Sequence, residues 1–292
     1  MNRKGTFFIL AAAVLWGMAG LFVRQLSGLG VLPAGIVFYS AFFTVIIIGI
    51  IMAGKDKNAF KIKINDLWLF AGNGVLSIVM FNFCYYKTMS ISSLSVAAVL
   101  LYTAPVFVMI MSVLLFKEKM TVKKALAVVL AFIGCICVSG VIGSGERLSG
   151  GALFYGLLTG FGYALYTVFS NVLLRRGYST LPIIFYTFVF ALIGSLPLVL
   201  SGANTLLSSD FSVYIWALLM GAFNTVLPYV FYTVGLKNIE PSKAPVIATA
   251  EPVAATVLGL FYGEKLTFYG VIGIILVLSS VITVNTKSGE KQ

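Results

Sequence analysis

The chain has 292 residues, of which 60% are hydrophobic and only 10% are charged, and its mean hydropathy is +1.04. Soluble globular proteins carry about 25% charged residues, so this composition excludes that class and indicates an integral membrane protein. The net charge of +11 would suit a nucleic-acid-binding protein, but the positions of the charges, described below, argue against nucleic acid as a partner.

The residue types used in metal and hydrolytic chemistry are scarce. The chain has no histidine, which removes histidine metal sites, Ser-His triads and histidine proton relays. Its three cysteines lie in apolar runs, and Cys135-x-Cys137 lacks the spacing of a zinc site, so we interpret them as packing residues. No Walker A motif occurs, and we expect no ATPase activity, catalytic residue, metal or cofactor.

Ten apolar stretches follow one another along the chain, each close to the 20 or so residues that a membrane helix needs. In the first half they cover approximately residues 6–23, 33–53, 67–86, 95–116 and 125–142. In the second half they cover approximately residues 151–174, 181–200, 212–236, 244–262 and 268–284. We therefore predict an all-α integral membrane protein with ten transmembrane helices, numbered here as spans 1 to 10.

The second half of the chain repeats the first. Pro105 and Pro252 are 147 residues apart, and beyond them Glu118-Lys119-x-Thr121 recurs 146 residues later as Glu264-Lys265-x-Thr267. Each repeat holds five spans, an odd number, so the second repeat should cross the membrane in the opposite sense. Inverted repeats are common in secondary transporters, whose substrate site lies near the membrane midplane between the halves. The predicted units are residues 1–142, a linker outside the cytoplasm at 143–150, residues 151–286, and a cytoplasmic tail at 287–292.

The lysines and arginines set the orientation. If the N-terminus is cytoplasmic, sixteen of them lie inside and only four lie outside, namely Arg24, Lys87, Arg147 and Lys265. This bias follows the positive-inside rule, so we expect both termini in the cytoplasm. The +11 charge is then an orientation signal rather than a binding surface for nucleic acid.

Several motifs together resemble one transporter family. The two five-span units, Trp16-Gly17 in span 1, the proline in the fourth span of each unit and the closing Glu-Lys-x-Thr are similar to the EamA family of the drug/metabolite transporter superfamily. The resemblance covers roughly residues 6–285. It implies a ten-helix carrier in the plasma membrane, here a bacterial inner membrane, with a cavity lined by spans 1, 3, 4, 6, 8 and 9 and with spans 5 and 10 at the periphery. Family members mostly export amino acids and other small metabolites, and some take solutes up.

One departure from the internal repeat affects this comparison. The distance from Pro252 to Glu264 is one residue shorter than that from Pro105 to Glu118. One residue corresponds to about 100° of helix rotation, so residues beyond Pro252 need not face the same way as their counterparts in span 4.

Glu251 is the only charged residue within the ten predicted spans. Inserting a carboxylate at such a depth costs about 2.5–3.5 kcal/mol even on insertion scales, so its presence calls for a reason. It could carry a proton, since low dielectric favours the neutral form of a carboxyl group. It could instead stay ionised and bind an ammonium group, or stay neutral and fasten span 9 to a neighbour by a hydrogen bond.

Three prolines predict interrupted helices near the same centre. Pro105, Pro228 and Pro252 each remove a backbone hydrogen bond and crowd the carbonyl four residues earlier. Carbonyls freed within a membrane persist where protein or a water-filled cavity satisfies them. The prolines therefore indicate a shared polar interior, although a static kink filled by packing is the alternative for each.

The spans that hold these residues are also rich in polar and aromatic side chains. The candidate substrate and transport residues are Glu251, Trp16, Asn82, Tyr102, Tyr163, Tyr166, Asn224 and Thr249. For Asn82 and Asn224 the alternative role is interhelical hydrogen bonding. Tyr85 and Tyr232 lie near predicted span ends, where tyrosines often anchor a helix at the membrane interface.

These observations favour a secondary carrier that moves a small metabolite, such as an amino acid, by alternating access. Export is the expected direction, protons are a candidate coupling ion, and an uptake carrier for similar solutes is the alternative. A membrane-embedded enzyme that modifies lipids is disfavoured, because the spans contain one carboxylate and the chain has no histidine. The expected partners are the small solute, protons and the lipid bilayer, while the oligomeric state does not follow from the sequence.

Overall fold

The computed structural model describes residues 3–55, 57–142, 149–200, 210–261 and 266–286. All regular secondary structure in these ranges is helical. Among the described residues, nine helices are long and apolar enough to cross a membrane: Arg3–Gly28, Pro33–Lys55, Ile64–Ile91, Leu94–Phe116, Gly150–Arg175, Thr180–Leu200, Phe211–Leu236, Pro241–Phe261 and Phe268–Asn285. Val122–Val138, with 17 residues, reaches the lower end of the range for a membrane helix and completes ten. The prediction of an all-α membrane protein is confirmed.

Local sequence explains where several spans begin. Thr121 and Thr267, the last residues of the repeated Glu-Lys-x-Thr, are both N-caps, and their hydroxyls accept hydrogen bonds from the backbone N–H groups of Lys124 and Gly270. Such a cap satisfies one of the N–H groups that the first turn of a helix leaves free. The repeated threonine therefore starts spans 5 and 10.

The main contacts of several spans join the two halves of the chain. Span 1 packs on span 8, span 3 on span 6, span 2 on span 7 and span 5 on span 10. Glycines allow the close approach between spans 5 and 10, because a Cβ on Gly134 would lie 2.8 Å from a methyl carbon of Val277. The two halves thus form one bundle, with an extensive interface between them.

In the part of the chain that the structure describes, five spans depart from regular α-helix. Span 4 divides into Leu94–Leu101 and Ala104–Phe116, and span 9 is interrupted at Thr249, so both interruptions lie just before their prolines. Span 1 is interrupted at Met18. Span 3 is π-helical over Val75–Met80, and span 8 is π-helical over Met220–Val226, directly before Pro228. No proline accompanies the irregular segments of spans 1 and 3.

Candidate functional site

A cavity of about 190 Å³ lies between the two halves. In the first half its wall comes from the parts of spans 1 to 4 nearest the loops at 29–32 and 92–93, and we call that end of the bundle the cavity end. In the second half the wall comes from the middle of spans 6 to 9. The lining residues are Trp16, Ala19, Val23, Ser40, Ile78, Phe81, Asn82, Tyr85, Tyr86, Leu101, Tyr163, Phe188, Met220, Asn224, Thr225, Tyr229 and Glu251.

Five of the eight candidate site residues share this wall, namely Trp16, Asn82, Tyr163, Asn224 and Glu251. The other three, Tyr102, Tyr166 and Thr249, are not among its lining residues. Tyr102 lies in the interruption of span 4 and Thr249 in that of span 9, where the Thr249 hydroxyl donates to the carbonyl of Val246 at 2.6 Å. Tyr166 is buried behind the cavity, with its hydroxyl 2.9 Å from that of Thr233.

Glu251 lies in the first turn of Ala250–Phe261, the second segment of span 9. The interruption at Thr249 therefore gives this carboxylate a helix N-terminus, where the helix dipole and free N–H groups favour negative charge. Its side chain is partly exposed to the cavity. Among the residues that the structure describes, none forms a hydrogen bond or ion pair with the carboxylate, so the alternative role as a fastener of span 9 has no contact to support it.

Aromatic side chains form much of the wall around Glu251. The ring of Trp16 lies 5.4 Å from that of Tyr229 and 6.1 Å from that of Tyr163, with edge-to-face geometry in both pairs. Tyr166 contacts Tyr229 from behind at 4.8 Å. Such edge-to-face pairs stabilise one another and hold the rings in fixed orientations.

The two asparagines on the wall have different hydrogen bonds. The Asn82 amide donates to the carbonyl of Ile78 in its own span at 2.8 Å. The Asn224 amide donates across to span 1, to the carbonyl of Leu15 at 2.8 Å. Asn224 therefore both lines the cavity and joins spans 8 and 1, whereas Asn82 makes no cross-span bond within the described ranges.

Several wall residues were not predicted. Tyr85 lines the cavity rather than anchoring a helix end, and Tyr232 is 1% exposed and hydrogen-bonded to Thr167, so neither fits the interfacial interpretation. Ser40 and Phe188 come from spans 2 and 7, which the family resemblance did not implicate. The sequences of spans 2 and 7 are almost uniformly apolar, so they do not indicate that these spans reach the cavity. No described residue of spans 5 or 10 lines it.

Buried polar side chains form hydrogen bonds behind the cavity. The Asn73 amide, from span 3, donates to the hydroxyls of Ser170 and Thr187 in the second half, at 3.3 and 2.8 Å. The Tyr232 and Thr167 hydroxyls are 2.7 Å apart in the same layer. Asn73 is completely buried, and its two hydrogen bonds join the halves at this level.

A charged cluster joins the halves beyond that layer, at the end of the bundle opposite the cavity end; we call it the closed end. Lys124 of span 5 binds Glu118 at 3.1 Å and Glu240 of the second half at 2.8 Å. Ser242 donates a hydrogen bond to Glu118, and Lys243 lies 3.3 Å from Glu240. A separate ion pair joins Asp66 to Arg176. Burial alone would raise the pKa of Glu240, but the adjacent Lys124 and Lys243 outweigh it and hold that pKa below its ordinary value.

Comparison with known proteins agrees with this architecture. A sequence profile of the EamA-like transporter family matches residues 3–140 and again residues 150–286. The chain belongs to the EamA-like transporter family. The matched segments divide between the two halves that pack around the cavity, and membership makes the chain a multi-pass membrane transporter.

Relatives in the family are also named as transporters. The chain is 28% identical to an uncharacterized transporter of Archaeoglobus fulgidus, over 96% of both chains. It is 26% identical to the uncharacterized inner membrane transporter YicL of Salmonella typhimurium, over 99% of this chain and 98% of that one. A chain in a solved crystal structure superposes with a TM-score of 0.82 at 15% identity, covering 98% of this chain and 97% of its own length, which shows a shared fold.

Proposed function

We propose that the chain is a secondary carrier that moves a small metabolite, an amino acid or a related solute, out of the cell by alternating access. The proposal rests on the Glu251 carboxylate, which faces a cavity between the two halves of the bundle. None of the described residues forms a hydrogen bond or ion pair with this carboxylate. An unpaired carboxylate at this depth is costly, and a bound solute or proton would offset that cost.

The contacts at the closed end support alternating access. In the proposed orientation, with inverted halves and both termini in the cytoplasm, the closed end is cytoplasmic and the cavity lies nearer the outside. The structure would then represent the state that releases an exported solute. The complementary state requires the halves to separate at the Lys124 cluster, which consists of discrete ion pairs that could break and re-form.

Proton coupling through Glu251 is part of the proposal. A carboxyl group that takes up a proton when the cavity faces one side and releases it on the other would couple solute movement to the proton gradient. No other carboxyl group lies on the described wall of the cavity, so Glu251 is the residue to test.

The test is solute flux in proteoliposomes with and without a pH gradient, using a panel of radiolabelled amino acids and amines. We expect the gradient to drive flux in the unmodified protein and in Glu251→Asp, which keeps a titratable group. Glu251→Gln should retain exchange of solute for solute but lose its response to the gradient. Gradient-driven flux in Glu251→Gln equal to that of the unmodified protein would exclude Glu251 as the coupling group. Flux no greater than in protein-free liposomes for the entire panel would contradict the carrier assignment to these solutes.

A further inference from the structure

We infer that the preferred solutes are small organic monocations, with an ammonium group on a compact, ring-sized apolar body and no carboxylate. This inference rests on the proposed function and narrows it, because it separates amines from the zwitterionic amino acids.

The charges around the cavity supply the first argument. Its described wall carries one carboxylate, Glu251, and neither lysine nor arginine. A solute with a single ammonium group would match this charge. An amino acid would bring a second charge, and its carboxylate would meet no cation and would be repelled by Glu251. An uncompensated charge in a site of low dielectric is strongly unfavourable.

Lys87, which follows the wall residue Tyr86 in the chain, does not line this cavity. Lys87 lines a separate groove between spans 2, 3 and 7, which shares Tyr86 but no other lining residue with the Glu251 cavity. Asn82 and Asn224, the wall amides, each already give one N–H to a backbone carbonyl. The wall is therefore poorly equipped to bind a carboxylate and well equipped to bind a cation.

The aromatic wall supplies the second argument. Trp16, Tyr163 and Tyr229 form a contiguous group of rings on the same wall as Glu251. Aromatic faces attract ammonium groups, and the attraction strengthens where water is excluded. The same rings provide apolar surface for the uncharged part of the solute.

The size of the cavity limits that uncharged part. An apolar cavity of about 150 Å³ is large enough to bind benzene. The present cavity has about 190 Å³, which leaves room for one ring and a short amine-bearing chain. We therefore expect compact monoamines to fit better than solutes with two or more rings.

The decisive experiment compares two amines that form monocations, 2-phenylethylamine and phenylalanine amide, with the zwitterion phenylalanine, which has the same phenyl ring and an added carboxylate. Binding to the purified full-length protein is measured by isothermal titration calorimetry at pH 7. We expect both amines to bind at least about tenfold more tightly than phenylalanine, which is the scale of one hydrogen bond to a charged group. Glu251→Gln should remove this preference and Glu251→Asp should retain it, with thermal melting used to confirm that both variants fold.

Three results would overturn the inference. They are equal or tighter binding of phenylalanine by the unmodified protein, no saturable binding of either amine at millimolar concentration, and a preference for amines that persists in folded Glu251→Gln. The first comparison needs no variant, so a misfolded variant cannot rescue the idea. Amines that bind as expected but do not exchange across proteoliposomes would contradict the carrier function and leave the site assignment standing. Transport of phenylalanine in preference to the amines would contradict the site assignment and leave the carrier function standing.

Discussion

Glu251 and Ala104 occupy equivalent positions in the two repeats, each directly before the proline of its broken span. Ala104 is 1% exposed and packs with Val108 and Ala164, so that position has no space for a carboxylate. Glu251 instead faces the cavity. Both repeats therefore contain the broken helix, but only the second carries an ionisable side chain next to its proline.

Asn224 and Asn82 allow a test of two roles that the sequence could not separate. We expect Asn224→Leu to lower thermal stability, because the Leu15 carbonyl loses a hydrogen bond from span 8. Interhelical hydrogen bonds in membranes average about 0.6 kcal/mol and reach about 1.7 kcal/mol. Asn82→Leu is the matched control, since the Asn82 amide bonds within its own span. Melting temperatures of the purified variants, measured side by side, decide the matter, and an equal loss in both would contradict the cross-span role of Asn224.

The interruption in span 4 depends on a small residue in span 6. A Cβ on Gly160 would lie 2.2 Å from the Thr103 hydroxyl and 2.9 Å from the Leu100 carbonyl, both at the interruption. We therefore expect Gly160→Val to push the broken span away and to reduce transport severely, with an overpacking cost of about 1–3 kcal/mol. Gly20→Val is the control, because no heavy atom of the described residues outside its own helix would contact the added Cβ within 4 Å.

The measurements for this pair are solute flux and melting temperature of the two valine variants. Gly160→Val should fall below the unmodified protein in both, while Gly20→Val should match it. Full transport by Gly160→Val would show that the interruption tolerates displacement and does not shape the cavity.

The sequence revealed some irregular elements and missed others for identifiable reasons. Prolines gave a covalent signal for the interruptions near Pro105 and Pro252, and the structure places them two or three residues earlier. The π-helical segment Val75–Met80 has no such signal, because it depends on how span 3 packs against its neighbours. For the same reason Ser40 was missed, since its place on the wall follows from the packing of span 2 on spans 7 and 8 and from no feature of span 2 itself.

At the scale of the whole molecule, the closed end contains an asymmetry between the repeats. Lys124 binds carboxylates from both halves, Glu118 and Glu240, and its side chain is only 10% exposed. Gly270 stands 146 residues further on, at the equivalent position of the second repeat, so that repeat offers no corresponding lysine. The charged cluster therefore stabilises closure at one end through a lysine that has no equivalent in the second repeat, which favours the conformation seen here.

Lys124→Met should weaken that closure. Removing one partner of a buried ion pair costs about 3–5 kcal/mol, and the 50% exposure of the Glu240 side chain reduces this figure. A remaining loss of about 1.4 kcal/mol would still open the closed end about tenfold more often. The measurement is labelling of Ser77→Cys, in a variant lacking the three native cysteines, by an impermeant maleimide in inside-out vesicles. Ser77 is 2% exposed, so its reaction reports separation of the halves.

We expect labelling to rise at least about tenfold in Lys124→Met and to stay unchanged in Lys119→Met, whose exposed side chain makes no ion pair within the described ranges.

The pH response separates this cluster from Glu251. Lys124 and Lys243 hold the pKa of Glu240 below its ordinary value. Glu240 therefore stabilises the closed end at every pH above its ordinary pKa, and this stabilisation is lost only as the pH falls through the lowered pKa. Maleimide reacts with the thiolate form of cysteine, so the labelling rate is divided at each pH by that of a fully exposed cysteine. With the cluster intact, this ratio should be constant above about pH 5. A rise between pH 8 and pH 5 would show that another group controls the closed end, and labelling only in right-side-out vesicles would reverse the proposed orientation.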